Sequence, residues 1–126
     1  MTIRMLILDD EERILSAVSD YFDHFGYSVA CARSLEEAVA LLDTRDFDVV
    51  LADLRLSGID SEEGLEIATL ARRKNPTTRV ALLTAYGTPE IAQEAAQRGV
   101  DVILNKPQPL VEIERIVSQL VSSRHG

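Results

Sequence analysis

Two kinds of apolar spacing alternate along this chain. Short runs in which neighbouring positions are all apolar, such as "VVLA" at 49–52 and "VALL" at 80–83, give way to longer segments where apolar residues recur every three or four positions. The first kind suits strands covered on both faces, the second helices with one buried stripe. The pattern predicts strands over residues 3–8, 28–32, 47–52, 80–83 and 102–104. Ile14, Leu15, Val18, Phe22 and Phe25 mark the stripe of a first helix, and Leu110, Ile113, Ile116, Val117 and Leu120 that of a last one.

Start and stop signals punctuate the helical segments. Gly26 ends the first, Ser34 with Glu37 forms a capping box for the second, and Asn75-Pro76 closes the third. Thr88-Pro89-Glu90 reads as N-cap, N1 proline and first-turn acid of the fourth, which Gly99 ends. The result is a strand followed by a helix, five times over. Such alternation implies an α/β fold: a parallel sheet, helices on both faces and right-handed crossovers.

Composition narrows the class. At 126 residues and 46% apolar content the chain is one domain with a core of its own. Its lone cysteine, Cys31, cannot form an intrachain disulfide, and its place in the apolar run "SVACA" predicts a buried, inert thiol and a reducing compartment. The first apolar run stops at Asp9, too short for a signal sequence, and no stretch reaches membrane-spanning length, so the expected location is cytoplasmic. A net charge of −8 disfavours direct contact with nucleic acid or an anionic membrane. The basic cluster Arg72-Arg73-Lys74 reads as a complement to the negative end of the third helix.

Ligands of parallel sheets bind beyond the carboxyl ends of the strands. There the chain places Asp9 and Asp10 after the first strand, Asp53 after the third, Thr84 after the fourth and Lys106 after the fifth. In "LILDDEERI", Asp10 is the expected helix cap, with Glu11 and Glu12 in the first turn. Capping needs only one aspartate, and carboxylates gathered at one sheet edge repel one another unless a cation or proton joins them. Hard oxygen donors with room for water suit Mg²⁺. Three aspartates, one lysine and one such ion balance in charge, so an anionic phosphoryl donor can approach. An aspartate can accept a phosphoryl group as an acyl phosphate, and Asp53, alone at the end of a central strand, is the candidate nucleophile.

The stretches "LILDDEE", "VVLADLRLSG", "LLTAYG" and "VILNKP" together resemble the response regulator receiver domain of two-component signalling, in the manner of chemotaxis regulators. The resemblance covers residues 1–122, leaves 123–126 as a tail, and includes no output domain. It implies a doubly wound, flavodoxin-like (βα)5 three-layer sandwich with sheet order 2-1-3-4-5. It also implies roles: Asp53 as phosphoacceptor, Asp10 as a direct Mg²⁺ ligand, Asp9 as one acting largely through water, and the Arg55 backbone carbonyl as a further ligand. Thr84 matches the switch hydroxyl and Lys106 its partner, and the Lys106-Pro107 peptide is expected to be cis. The implied partners are a histidine kinase or histidine phosphotransfer protein and a downstream effector, with a homodimer left open. The implied chemistry is limited to the domain's own phosphorylation and dephosphorylation rather than turnover of a separate substrate.

Three positions depart from the family pattern. Ile103 occupies the usual aromatic slot three residues before the lysine, which puts the coupled hydroxyl–ring switch in question; Tyr86 is the nearest ring. Ser57 replaces a common proline, and "SGIDSEEGLE", with Asp60, Glu62 and Glu63, is about three residues longer than the usual loop. Ile103 motivates an alternative, a receiver-fold interaction module indifferent to phosphorylation. A phosphatase using Asp53 lacks the general acid that such enzymes carry two residues on, where this chain has Arg55. A nucleotide binder lacks a glycine-rich phosphate loop after the first strand.

Overall fold

Strands with runs of consecutive apolar residues need cover above and below, and five parallel strands sandwiched between two helical layers provide it. The computed structural model describes residues 2–54, 63–85 and 87–123. In chain order the elements are β1 (Arg4–Leu8), α1 (Glu12–His24), β2 (Ser28–Ala32), α2 (Leu35–Thr44), β3 (Val49–Asp53), α3 (Glu63–Lys74), β4 (Arg79–Thr84), α4 (Pro89–Gln97), β5 (Val102–Asn105) and α5 (Leu110–Ser123). The sheet order is β2-β1-β3-β4-β5, parallel throughout, which is the doubly wound architecture the family resemblance implies.

The two-residue period of a strand divides the core into two layers. Met5, Ile7, Val49, Leu51, Ala81 and Leu83 pack toward Leu15, Val18 and Phe22 of α1 and Ile113 and Val117 of α5. Leu6, Leu8, Val50, Ala52, Val80 and Leu82 belong to the opposite layer, with Ala38 and Leu42 of α2, Leu65, Ala68 and Ala71 of α3, and Ala95 of α4. Truncating one such fully buried side chain, Leu82 for example, costs about 2–5 kcal/mol.

The predicted caps of α2 and α4 form. Ser34 Oγ accepts from Glu37 N at 3.2 Å while Glu37 Oε1 accepts from Arg33 N, and Thr88 Oγ1 accepts from Ile91 N at 3.2 Å ahead of Pro89. Gly26 and Gly99 take φ of +88° and +89°, which lets the following N–H groups turn back onto the helix: Tyr27 N donates to Phe22 O and Val100 N to Ala95 O. Arg72 and Lys74, in the last turn of α3, donate to the carbonyls of Thr78 and Arg45.

Two expectations fail on burial. Cys31 is exposed: β2 is an edge strand, fully buried only at Ala30 and Ala32, and on the face it shares with Cys31 the partly buried Val29 is the residue that packs against the α1 and α5 layer. Phe25 is 51% exposed: it is the C-cap of α1, where the chain leaves the helical path, and its ring rests on Tyr21 at a centroid distance of 5.1 Å instead of entering the core. Among the described residues, no helix is long and apolar enough to cross a membrane.

The amino ends of the strands are stapled by carboxylates. Asp48 accepts from Arg4 N at 2.8 Å and from the Arg4 guanidinium through both oxygens. Asp101 accepts from Val80 N at 2.7 Å and from Arg79 at 3.1 Å, and buried Thr78 donates to Phe47 O at 2.7 Å.

Candidate functional site

The opposite, carboxyl-terminal rim of the sheet carries the chemistry. β1 leads directly into Asp9, whose N–H donates to Ala32 O at 3.1 Å, continuing the ladder one residue past the strand. The Asp9 side chain then turns back so that Oδ1 accepts from Glu11 N at 2.9 Å. This corrects the expectation that Asp10 caps α1. The helix starts at Glu12 with Glu11 as an N-cap that makes no side-chain cap bond, and Asp9 is the residue that ties down the turn. Asp10 is thereby left exposed, while Asp9 is buried.

Asp53 ends β3, buried, and its Oδ2 lies 3.0 Å from Lys106 Nζ. Lys106 follows β5, and its N–H donates to Thr84 O at 2.8 Å, which joins the last residue of β4 to the lysine's backbone. Thr84 is buried, and the Lys106-Pro107 peptide is cis. One carboxylate oxygen from each of Asp9, Asp10 and Asp53 lies within 4.8 Å of the others. The Asp9 carboxyl is held above the usual aspartate range, first by burial and then by the negative charge of Asp53 and Asp10; the Glu11 N–H and Lys106 oppose this.

An oxygen-only donor set with two buried members and one exposed member fits a hard divalent cation that keeps part of its water shell. The structure thus brings Asp9, Asp10, Asp53 and Lys106 to one rim, with Thr84 at the end of the neighbouring strand. Arg55, Ser57, Asp60, Glu62 and Tyr86 lie outside the described residues. Glu63 is the first residue of α3, and Ile103 is half-buried against the core layer that contains Ala95 of α4.

Known proteins share the sequence pattern and the fold. Residues 5–118 match the response regulator receiver domain family. The chain belongs to that family. Over 104 residues the receiver is 38% identical to the alginate biosynthesis transcriptional regulatory protein AlgB of Pseudomonas aeruginosa, a match covering 82% of this chain and 22% of that protein. The receiver therefore spans less than a quarter of the length of that relative. Its fold matches a CheY-like receiver domain protein from Methanospirillum hungatei with a TM-score of 0.90 at 23% identity, covering 99% of this chain and 98% of that one. A response regulator protein from Burkholderia pseudomallei, solved with a phosphorylated aspartic acid, calcium ion and citrate, matches with a TM-score of 0.83 at 26% identity, covering 96% of this chain and 69% of that one.

One feature of the rim has no signal in the apolar pattern. A Cβ at Gly87 would stand 2.9 Å from Asn105 Oδ1 and 3.5 Å from Thr84 Cγ2, so the chain after β4 lies close over the end of β5. Residues 84 and 105 are register partners of β4 and β5, a relation visible only once the strands are paired.

Proposed function

We propose that this receiver accepts a phosphoryl group on Asp53 from a histidine kinase or a histidine phosphotransfer protein, with Mg²⁺ bound, and that the acquired charge changes the surface it offers to a downstream partner. The observation that carries this is the Asp53 carboxylate, held 3.0 Å from the Lys106 ammonium and within 4.8 Å of oxygens from Asp9 and Asp10. A related response regulator carries a phosphorylated aspartic acid and a calcium ion, which supports the same chemistry here.

In the transfer, a carboxylate oxygen of Asp53 forms a bond to phosphorus as the bond from phosphorus to the donor's imidazole nitrogen breaks. The imidazole leaves with the electron pair, and Asp53 becomes an acyl phosphate. Little covalent work is left to the protein beyond alignment and charge compensation. Asp9, Asp10 and Asp53 would hold the metal, joined as the family resemblance implies by the Arg55 carbonyl, and Mg²⁺ would supply positive charge against the phosphoryl oxygens. Lys106 supplies a second positive charge from the other side. Thr84 donates its hydroxyl to the phosphoryl group, and the pull on Thr84 and Lys106 biases α4, β5 and α5 toward the active arrangement.

Intact mass after incubation with acetyl phosphate and MgCl₂ tests the reading. One added phosphoryl group on the wild type and none on Asp53→Asn is expected; an unmodified wild type, or equal labelling of both, overturns it.

Ile103 favours a second reading, a module whose partner surface ignores phosphorylation, because this aliphatic side chain is already packed in the α4 layer. Unchanged amide shifts in α4 and α5 on adding beryllofluoride would select that reading over the switch.

A further inference from the structure

The first turn of α3 presses on the backbone of the phosphoacceptor. Gly64, buried, is the second residue of that helix, and a Cβ built on it would stand 2.9 Å from the Asp53 carbonyl oxygen, 2.9 Å from Leu54 Cα and 3.3 Å from the Asp53 carbonyl carbon. These are backbone atoms, so no rotamer change relieves the approach. The same Asp53–Leu54 peptide is held on its other side by β4, where Leu54 N donates to Leu83 O at 3.0 Å. Leu54 and Leu65 are both buried in one core layer, which keeps the helix and the strand end from separating.

From this we infer that Gly64 is a positioning residue for the metal and phosphoryl site: its missing side chain lets α3 clamp the Asp53–Leu54 peptide against β4 and so sets where the Asp53 carboxylate and the next carbonyl, that of Leu54, point. The inference rests on the proposed role of Asp53. Widening the 2.9 Å approach to the 3.4 Å of ordinary contact moves the peptide or the helix by about half an ångström. For in-line transfer, misplacement on this scale costs on the order of tenfold or more in rate.

Gly64→Ala tests it, beside Ala71→Gly, which disturbs the same helix away from Asp53. Two quantities are read at a temperature where each variant is folded: Mg²⁺ affinity by NMR titration with MgCl₂, and the phosphorylation rate at saturating acetyl phosphate. Gly64→Ala should weaken Mg²⁺ binding at least threefold and slow phosphorylation about tenfold, while Ala71→Gly, although less stable, keeps both within twofold. Wild-type values in Gly64→Ala overturn the inference. If Gly64→Ala does not fold, the wild type decides: adding Mg²⁺ and beryllofluoride should shift the Gly64 and Leu65 amides more than that of Ala71, and unmoved Gly64 and Leu65 amides overturn it. A wild type that binds neither Mg²⁺ nor phosphoryl group brings down the functional reading, and the inference with it; a labelled wild type with an indifferent Gly64→Ala brings down the inference alone.

Discussion

Lys106 Nζ lies 3.0 Å from Asp53 Oδ2 although the two residues are 53 positions apart, because β3 and β5 flank β4 in one parallel sheet. The pair is half-open to solvent on the lysine side, so its value lies in placing charge rather than in holding the fold. Lys106→Met, which keeps the aliphatic stem, should leave the unfolding free energy within roughly 1 kcal/mol of wild type. Phosphorylation by acetyl phosphate should slow by about tenfold or more, followed on Phos-tag gels.

Asp9 carries an electrostatic cost that the proposed metal binding would offset. Its carboxyl is buried beside two other carboxylates and is disfavoured as an anion, so Asp9→Asn in EDTA should melt roughly 3–5 °C higher, the response of a domain this size to about 1 kcal/mol. MgCl₂ should stabilise the wild type by about 1.4 kcal/mol at ten times its dissociation constant and the variant much less. Equal Mg²⁺-induced shifts in differential scanning fluorimetry would remove Asp9 from the metal site.

Tyr27 predicts the alkaline limit of stability. Burial, then the charge of Glu114, which accepts its hydroxyl at 3.3 Å, pushes the phenol up to about 12 from an ordinary 10.0. The folded chain therefore keeps the proton while the unfolded chain releases it, and stability falls as pH rises from about 10 to about 12. Urea unfolding across that window should show the decline for the wild type and a shallower one for Tyr27→Phe.

Asp48 is a staple rather than a functional acid. Asp48→Ala strands the Arg4 backbone N–H and guanidinium at a part-buried strand end and should lower stability by about 2–3 kcal/mol in urea, with an unchanged m-value. Mg²⁺ affinity should stay at the wild-type value, since the staple and the proposed metal site lie at opposite ends of the strands.

Much of this architecture is legible in the linear pattern. The apolar runs locate all five strands to within about two residues, and Ser34, Thr88, Gly26 and Gly99 announce their helix boundaries because capping is local chemistry. What is not local is harder to read. Whether Asp9 or Asp10 turns back onto the helix depends on where the ladder with Ala32 ends, and the exposure of Cys31 depends on β2 having one neighbour. Asp48, Thr78 and Asp101 look like ordinary loop polars until strands distant in sequence are paired. Gly64 leaves no trace at all, since a missing side chain matters only against the backbone it meets.

The division of labour between the two ends of the sheet has an engineering consequence. Bonds that hold the amino-terminal ends together, those of Asp48, Thr78 and Asp101, share no atom with the rim that bears Asp9, Asp10, Asp53 and Lys106. A combinatorial library confined to the exposed positions around that rim should therefore yield mostly foldable members, and the lifetime of the proposed phosphorylated state becomes a trait that selection or a designer can retune without first rescuing the scaffold.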